Sequence, residues 1–364
     1  MIKVALFSGP IEYSLCLANA LSRKCQVSFF YDGIFVERGD PTILKVLNPS
    51  IEKRAITHYR IRDVRNIWSY YAIMREFSSY DVIHIQIGNI WFAMYRWLFR
   101  DIPLVFTVHD PYQHYGISNR TYRDLSQKWN IKHSSSFIVH GEKMKTDLVS
   151  RYSLNEKDVH VIPHGEFSFY KRMIRPDGQE LIGTVNYKRI LFFGSIRPNK
   201  GLEYLIKAEP YISKKFSRYK ICIAGNFSGT LDYYMNLIKD KNKFEIIDDY
   251  ILSSQVATLF ENSDIVVLPY VSATQSGILP LAFGFGKPVV ATDAGSISEI
   301  LEDGKTGYIV PVKDEKLLAE AISKLLLNEE TCKKYGDNAY CVAQTKLDWN
   351  KIADSTIKVY KGLR

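Results

Sequence analysis

Arg189 to Ala208 reads RILFFGSIRPNKGLEYLIKA: an apolar run ends at Gly194, a short turn carries Arg197 and Lys200, and Gly201 opens a helical pattern. A strand closed by a glycine turn and followed by a helix is half of a βαβ unit, so the stretch predicts a parallel sheet covered by helices. Two cations three residues apart in such a turn suit a phosphate, the guanidinium gripping two oxygens and the ammonium acting as a point charge. The same spacing also fits a solvated turn with both charges facing water.

The rhythm extends in both directions. RILFFGS, YKICIAGN, FEIIDD, DIVVLPY, KPVVATD and GYIVPV alternate with helical segments through the second half. IKVALFS, QVSFFYD, VIHIQIG, LVFTVHD, SFIVHG and VHVIPHG do the same in the first half, separated by patterns such as SLCLANALSRK and RNIWSYYAIMREF. A polar stretch near Arg175–Asn186 interrupts the two series. The expected organisation is therefore α/β, with two doubly wound domains over 1–180 and 181–345. The last segment, 346–364, is an amphipathic helix with Trp349, Ile352, Ile357 and Tyr360 available for packing, and it is expected to cross back onto the first domain. Ligands of such sheets bind beyond the carboxyl ends of the strands, so two of these domains facing each other form a cleft.

A chain of 364 residues with 46% hydrophobic and 24% charged residues is long enough for two cores and is not expected to be disordered. Its five cysteines, Cys16, Cys25, Cys222, Cys332 and Cys341, lack CxxC spacing, which argues against a disulfide framework or a zinc site and for a reducing cytoplasm. The apolar part of MIKVALFSGP is too short for a signal peptide, and no run approaches the roughly 20 apolar residues of a membrane span. Residues 1–175 carry 24 Lys and Arg against 16 Asp and Glu, whereas 176–364 carry 24 against 23, so the net +9 resides almost wholly in the first half. Such a field favours anionic partners, but no nucleic-acid recognition motif accompanies it.

A second informative stretch, Ser272 to Pro288, reads SATQSGILPLAFGFGKP and sets small polar residues where a strand ends and a helix begins. Free amides and partial positive charge at that point suit an anion. With FGSIRPNKGLEYLIKA, IAGN, DIVVLPY and FGKPVVATDAGSISEILEDGKTGYIVP in this order and spacing, the chain resembles the GT-B glycosyltransferases of family 4. The resemblance is strongest over 190–312. TVHDP and VIPHGEF, around His109 and Pro163, look like first-half segments of the same family.

The resemblance implies a nucleoside-diphosphate sugar held mainly by the second domain, with Gly194, Ser195, Thr274, Gln275, Ser276, Gly277 and Glu299 on the donor side. Arg197 and Lys200 are expected to stabilise the departing diphosphate, and His109 to contact the transferred sugar. It further implies transfer with retention of anomeric configuration, with neither metal nor cofactor, the leaving group being stabilised by cations and dipoles. Three departures stand out. Ser195 occupies the position of the family's arginine, Ala273 and Leu281 those of its paired glutamates, and SGPIEYS has only Gly9 where two glycines are expected. Thr274 and Gln275 must then hold the sugar differently, and His140 and His164 are weaker candidates near the end of apolar runs.

Asn89 to Pro103, NIWFAMYRWLFRDIP, interleaves aromatic residues with Arg96 and Arg100, as a segment lying in a bilayer interface does. A buried helix whose arginines reach back to water gives the same pattern. Lys53, Arg54, Arg60, Arg62 and Arg65 lie nearby and favour the membrane reading. On that reading Trp91, Arg96, Trp97 and Arg100 face an anionic membrane or the acceptor. The expected activity is a cytoplasmic, peripherally membrane-bound glycosyltransferase acting on a lipid-linked or surface glycan in polysaccharide biosynthesis. The alternatives are a GT-B sugar-nucleotide epimerase and, prompted by the missing carboxylates, a catalytically silent GT-B partner subunit.

Overall fold

The computed structural model describes residues 1–363 except 58, 60–62, 112–119 and 174–185. Arg60, Arg62 and most of the polar 175–186 stretch lie outside the described residues. The chain forms two compact units, one of Met1–Gly165 with Asp348–Arg364 and the other of Glu166–Leu347.

The first unit is built on seven parallel strands: β1 (Ile2–Phe7), β2 (Cys25–Asp32), β3 (Glu52–Ile56), β4 (Val82–Ile85), β5 (Leu104–Thr107), β6 (Ser136–Val139) and β7 (Val159–Val161). Their order is β3-β2-β1-β4-β5-β6-β7. The central strands are buried along their whole length because helices cover a parallel sheet, which is why they read as continuous apolar runs. The helix Trp349–Gly362 completes this unit. Asp348 starts it by accepting the backbone amides of Asn350 and Lys351 at 3.0 and 3.1 Å. Its buried stripe of Ile352, Ala353, Thr356, Ile357, Val359 and Tyr360 packs in part on the helix Ile11–Leu21. Burying each large apolar side chain of that stripe contributes on the order of 2 kcal/mol. Residue 165 must be glycine, since a Cβ there would lie 2.2 Å from the Trp349 ring.

The second unit has six parallel strands: β8 (Lys188–Phe193), β9 (Tyr219–Ala224), β10 (Phe244–Ile247), β11 (Ile265–Leu268), β12 (Val289–Thr292) and β13 (Gly307–Val310). They lie in the order β10-β9-β8-β11-β12-β13. The direction of winding reverses between β8 and β11 here and between β1 and β4 in the first unit. At such a switch point the connecting loops diverge to opposite faces and leave a crevice beyond the strand ends.

Candidate functional site

In the second unit the switch point gathers loops far apart in sequence. After β8 the chain turns through Gly194, whose φ of 113° favours glycine, and through the short 3-10 turn Pro198–Lys200 to Gly201, φ 64°. A Cβ on Gly201 would come within 1.9 Å of the Pro269 carbonyl oxygen, so this glycine lets the loop after β8 press onto the loop after β11. Asn199 fastens the two: its carbonyl accepts from the Val271 amide at 2.9 Å, and its side-chain Nδ2 donates to the Ser272 carbonyl at 3.2 Å. The loop after β12 joins them at Gly295, φ 65°, where a Cβ would lie 2.3 Å from the Ala273 carbonyl oxygen, and through the Ser296 amide, which donates to Thr274 at 3.0 Å.

The side chains on this platform leave chemistry unused. Arg197 is exposed, and among the described residues neither it nor Lys200 has a carboxylate partner. Lys200 Nζ stands 3.8 Å over the Tyr270 ring, whose hydroxyl is 3.3 Å from Ser276 Oγ. Asn199 Oδ1, Gln275 Oε1 and Ser296 Oγ are buried with no hydrogen-bond partner. A buried polar atom left unpaired costs about 1–3 kcal/mol, so three on these joined loops mark a place where a ligand's donors belong. Ser276 and Gly277 precede the helix Ile278–Gly284, and the Ser276 side chain accepts from the Leu279 amide at 3.4 Å. Thr274 is buried in the same loop, whereas Ser195 and Glu299 are exposed in the loops after β8 and β12. Asn199, Tyr270 and Ser296 escaped the sequence reading; the only local signal was Tyr270's place after Pro269 at a strand end.

In the first unit the carboxyl ends of β4 to β7 carry Gln86, His109, His140 and His164 in a row. The Tyr13 ring lies 4.8, 5.1 and 4.9 Å from the three imidazoles. His109 Nδ1 is 3.0 Å from His140 Nε2, His109 Nε2 is 3.1 Å from the Gln86 amide, and His140 Nδ1 is 3.0 Å from the Ile162 carbonyl. Gln86 also meets His84 Nε2 at 3.2 Å, and His84 Nδ1 bonds the Tyr360 hydroxyl at 2.6 Å. Burial pushes His140 down to about 4 and His84 and His164 to about 3, and burial with the neighbouring histidines pushes His109 well below the usual imidazole range. Both His109 ring nitrogens thus have partners inside this unit.

The segment expected at a membrane interface divides. Trp91 does not face outward: it is buried and stacked on Tyr70, with Phe92, Tyr95 and Phe99 also in the core. Arg96 is not a surface cation either, since its guanidinium donates to the carbonyls of Phe99, Ile102 and His133. The helix Ile90–Met94 gives way to a 3-10 turn, Arg96–Phe99, and the guanidinium joins the end of that turn to the end of the helix Arg120–His133. Trp97 and Arg100 are exposed. Arg54 pairs with Glu52 and Glu76, and Arg65 with Asp63, so part of the neighbouring basic charge is answered locally.

Two family models match in sequence: "Glycosyltransferase Family 4" over 10–165 and "Glycosyl transferases group 1" over 180–342. The D-inositol 3-phosphate glycosyltransferase of Paenarthrobacter aurescens is 22% identical over 337 residues, 86% of this chain and 79% of the relative. The phosphatidyl-myo-inositol mannosyltransferase of Mycobacterium leprae is 25% identical over 295 residues, 78% and 74% of the two. Among solved structures, Anabaena HepE in complex with UDP and glucose superposes with a TM-score of 0.77 at 19% identity over the full length of both chains. With two parallel sheets of matching architecture and a family model on each half, the chain belongs to the family 4, group 1 glycosyltransferases of the GT-B fold and is a transferase enzyme.

Proposed function

We propose that the chain transfers a sugar, with retention, from a nucleoside-diphosphate sugar to a lipid-linked or surface glycan acceptor. The observation that carries this reading is the crevice of the second unit, where Arg197 and Lys200 lack carboxylate partners among the described residues and Asn199 Oδ1, Gln275 Oε1 and Ser296 Oγ lack donors. The cations suit the diphosphate, and the three acceptors suit hydroxyls or ring N–H groups of a nucleotide sugar. Gln275 then replaces with a neutral carbonyl what a carboxylate at residue 273 would have supplied. In the reaction the bond from the anomeric carbon to the diphosphate oxygen breaks. The acceptor hydroxyl oxygen bonds that carbon on the same face, and its proton passes to the departing diphosphate. Arg197 and Lys200 neutralise the charge that develops there in place of a metal. His109 takes the role of contacting the transferred sugar.

The acceptor side of the proposal draws on the surface of the first unit. Three neighbouring helical segments expose large apolar side chains: Val64 and Trp68 beside and on Arg65–Met74, Met94 and Trp97 on the next segment, and Leu125 and Trp129 on Arg120–His133. Tyr95 donates to the Ile67 carbonyl at 2.9 Å and Arg96 reaches His133, which ties the three together. Exposures of 74% for Trp68 and 63% for Trp97, with Arg100 and Lys132 nearby in sequence, suit an anionic bilayer surface. Among the described residues no helix is long and apolar enough to cross a membrane, so the association proposed is peripheral, on the cytoplasmic face.

The test is calorimetric titration with UDP and GDP, followed by nucleotide-sugar consumption. Arg197→Ala and Lys200→Ala should each weaken the preferred nucleotide about tenfold or more, the equivalent of one charge-assisted hydrogen bond. The Arg197→Ala melting temperature should stay at the wild-type value, because an exposed turn charge adds little stability, whereas Lys200→Ala also loses its contact with the Tyr270 ring and should fall slightly. Unchanged affinity in both variants removes the clamp. Nucleotide binding without sugar turnover favours a silent partner subunit.

A further inference from the structure

We infer that His140 is a positioning residue that fixes His109 in its Nδ1–H tautomer, with polarity set by the Ile162 carbonyl; this deepens, and rests on, the proposed contact of His109 with the transferred sugar. A carbonyl oxygen only accepts, so the 3.0 Å contact from His140 Nδ1 to Ile162 requires a proton on Nδ1. A neutral imidazole has one such proton, which leaves a lone pair on His140 Nε2. That lone pair faces His109 Nδ1 at 3.0 Å, and the contact is a hydrogen bond only if His109 carries its proton there. His109 Nε2 is then an acceptor. The tautomer is the reverse of the Nε2–H form that a free histidine favours, so the fold imposes it.

The other side of the ring agrees once the Gln86 amide is oriented by its neighbours. Gln86 Oε1 and Nε2 occupy positions 3.1 Å from His109 Nε2 and 3.2 Å from His84 Nε2. With a lone pair on His109 Nε2, the NH2 group of Gln86 belongs beside it, and the carbonyl beside His84. His84 then carries its proton on Nε2, shared between the Gln86 carbonyl and the nearer Thr107 Oγ1 at 2.7 Å, and its Nδ1 accepts from the Tyr360 hydroxyl at 2.6 Å. Donors run in one direction from Tyr360 through His84, Gln86, His109 and His140 to Ile162. Tyr13 holds the rings of His109 and His140 from the side, at 4.8 and 5.1 Å. A substrate hydroxyl that takes the place of the Gln86 amide at His109 Nε2 therefore meets an acceptor, and the ring neither tilts nor changes tautomer to greet it.

Long-range 1H–15N NMR of the full chain labelled with 15N-histidine reads the tautomer directly at pH 7.5, without any ligand. Wild type should show His109 protonated on Nδ1 and bare on Nε2. His140→Leu should move the proton to Nε2, whereas His140→Gln should keep it on Nδ1 because the amide carbonyl replaces the lost acceptor. Turnover is followed with whichever of UDP-glucose, UDP-N-acetylglucosamine or GDP-mannose wild type consumes. The Leu variant should lose tenfold or more in kcat with nucleotide affinity unchanged, and the Gln variant should recover most of it. A wild-type His109 carrying its proton on Nε2, or a Leu variant with the wild-type tautomer, overturns the inference. If His140→Leu does not fold, the wild-type spectrum still decides. His109→Ala with full turnover would sink the sugar-contact reading instead, leaving the tautomer result to stand or fall by itself.

Discussion

The histidine row makes the first unit acid-sensitive. Burial disfavours the imidazolium form, so between the ordinary histidine value near 6.5 and the depressed native values the unfolded chain binds protons that the native chain does not. Stability is therefore full above about pH 7 and falls as pH drops through 6.5, levelling only near the native values of about 4 for His140 and about 3 for His84 and His164. For a native value of 4, going from pH 7.5 to 5 costs about 2 kcal/mol per histidine, and for three together about 6 kcal/mol, comparable to the whole stability of many domains. All five tryptophans, Trp68, Trp91, Trp97, Trp129 and Trp349, belong to the first unit, so tryptophan fluorescence in a urea titration follows that unit selectively. The midpoint should fall steeply between pH 7.5 and 5, and His140→Gln should remove about 2 kcal/mol of the difference. Carboxylates titrating in the same range act on both proteins equally, which is why the comparison is decisive. Equal pH dependence in the two would show that His140 is not held neutral by burial.

Gly201→Ala adds a Cβ at φ 64° and 1.9 Å from the Pro269 carbonyl oxygen, so it should destabilise the second unit by about 2 kcal/mol or more and weaken nucleotide binding. Gly194→Ala, whose Cβ would meet nothing closer than 3.7 Å, should cost less despite its φ of 113°, and equal urea midpoints for the two variants would contradict this account. At the proposed membrane face, wild type should bind phosphatidylglycerol vesicles and leave them in 1 M salt, where screening shortens to about 3 Å. Trp68→Ser with Trp97→Ser, or Arg100→Glu alone, should weaken that binding without unfolding the chain, and equal wild-type binding to neutral vesicles would refute it.

The parallel sheets were legible because strands buried on both faces become continuous apolar runs, such as Ile265–Leu268, that end abruptly at glycine or proline. The clustering of Asn199, Tyr270 and Ser296 was not, because it depends on β8 and β11 being neighbours although Lys188–Phe193 and Ile265–Leu268 are distant in sequence. Nor could the sequence separate Trp97 from Trp91. Both stand in one aromatic and basic run, and only the change from helix to 3-10 turn, with Arg96 turned in to the Phe99 and Ile102 carbonyls, separates the exposed Trp97 from the buried Trp91. The Gln86–His109–His140 line was hidden for a related reason, since each member ends a different strand and only register aligns them.

The helix Trp349–Gly362 belongs to the unit that begins at Met1, and Tyr360 bonds His84 across 276 residues of chain. During synthesis the first unit therefore waits. Its sheet emerges from the ribosome by Gly165, but the helix that covers it follows only after Glu166–Leu347 has been made. At roughly 5–20 residues per second that interval is about 10–40 s. The second unit is contiguous and can close in the meantime, so the half of the enzyme translated first is the half completed last.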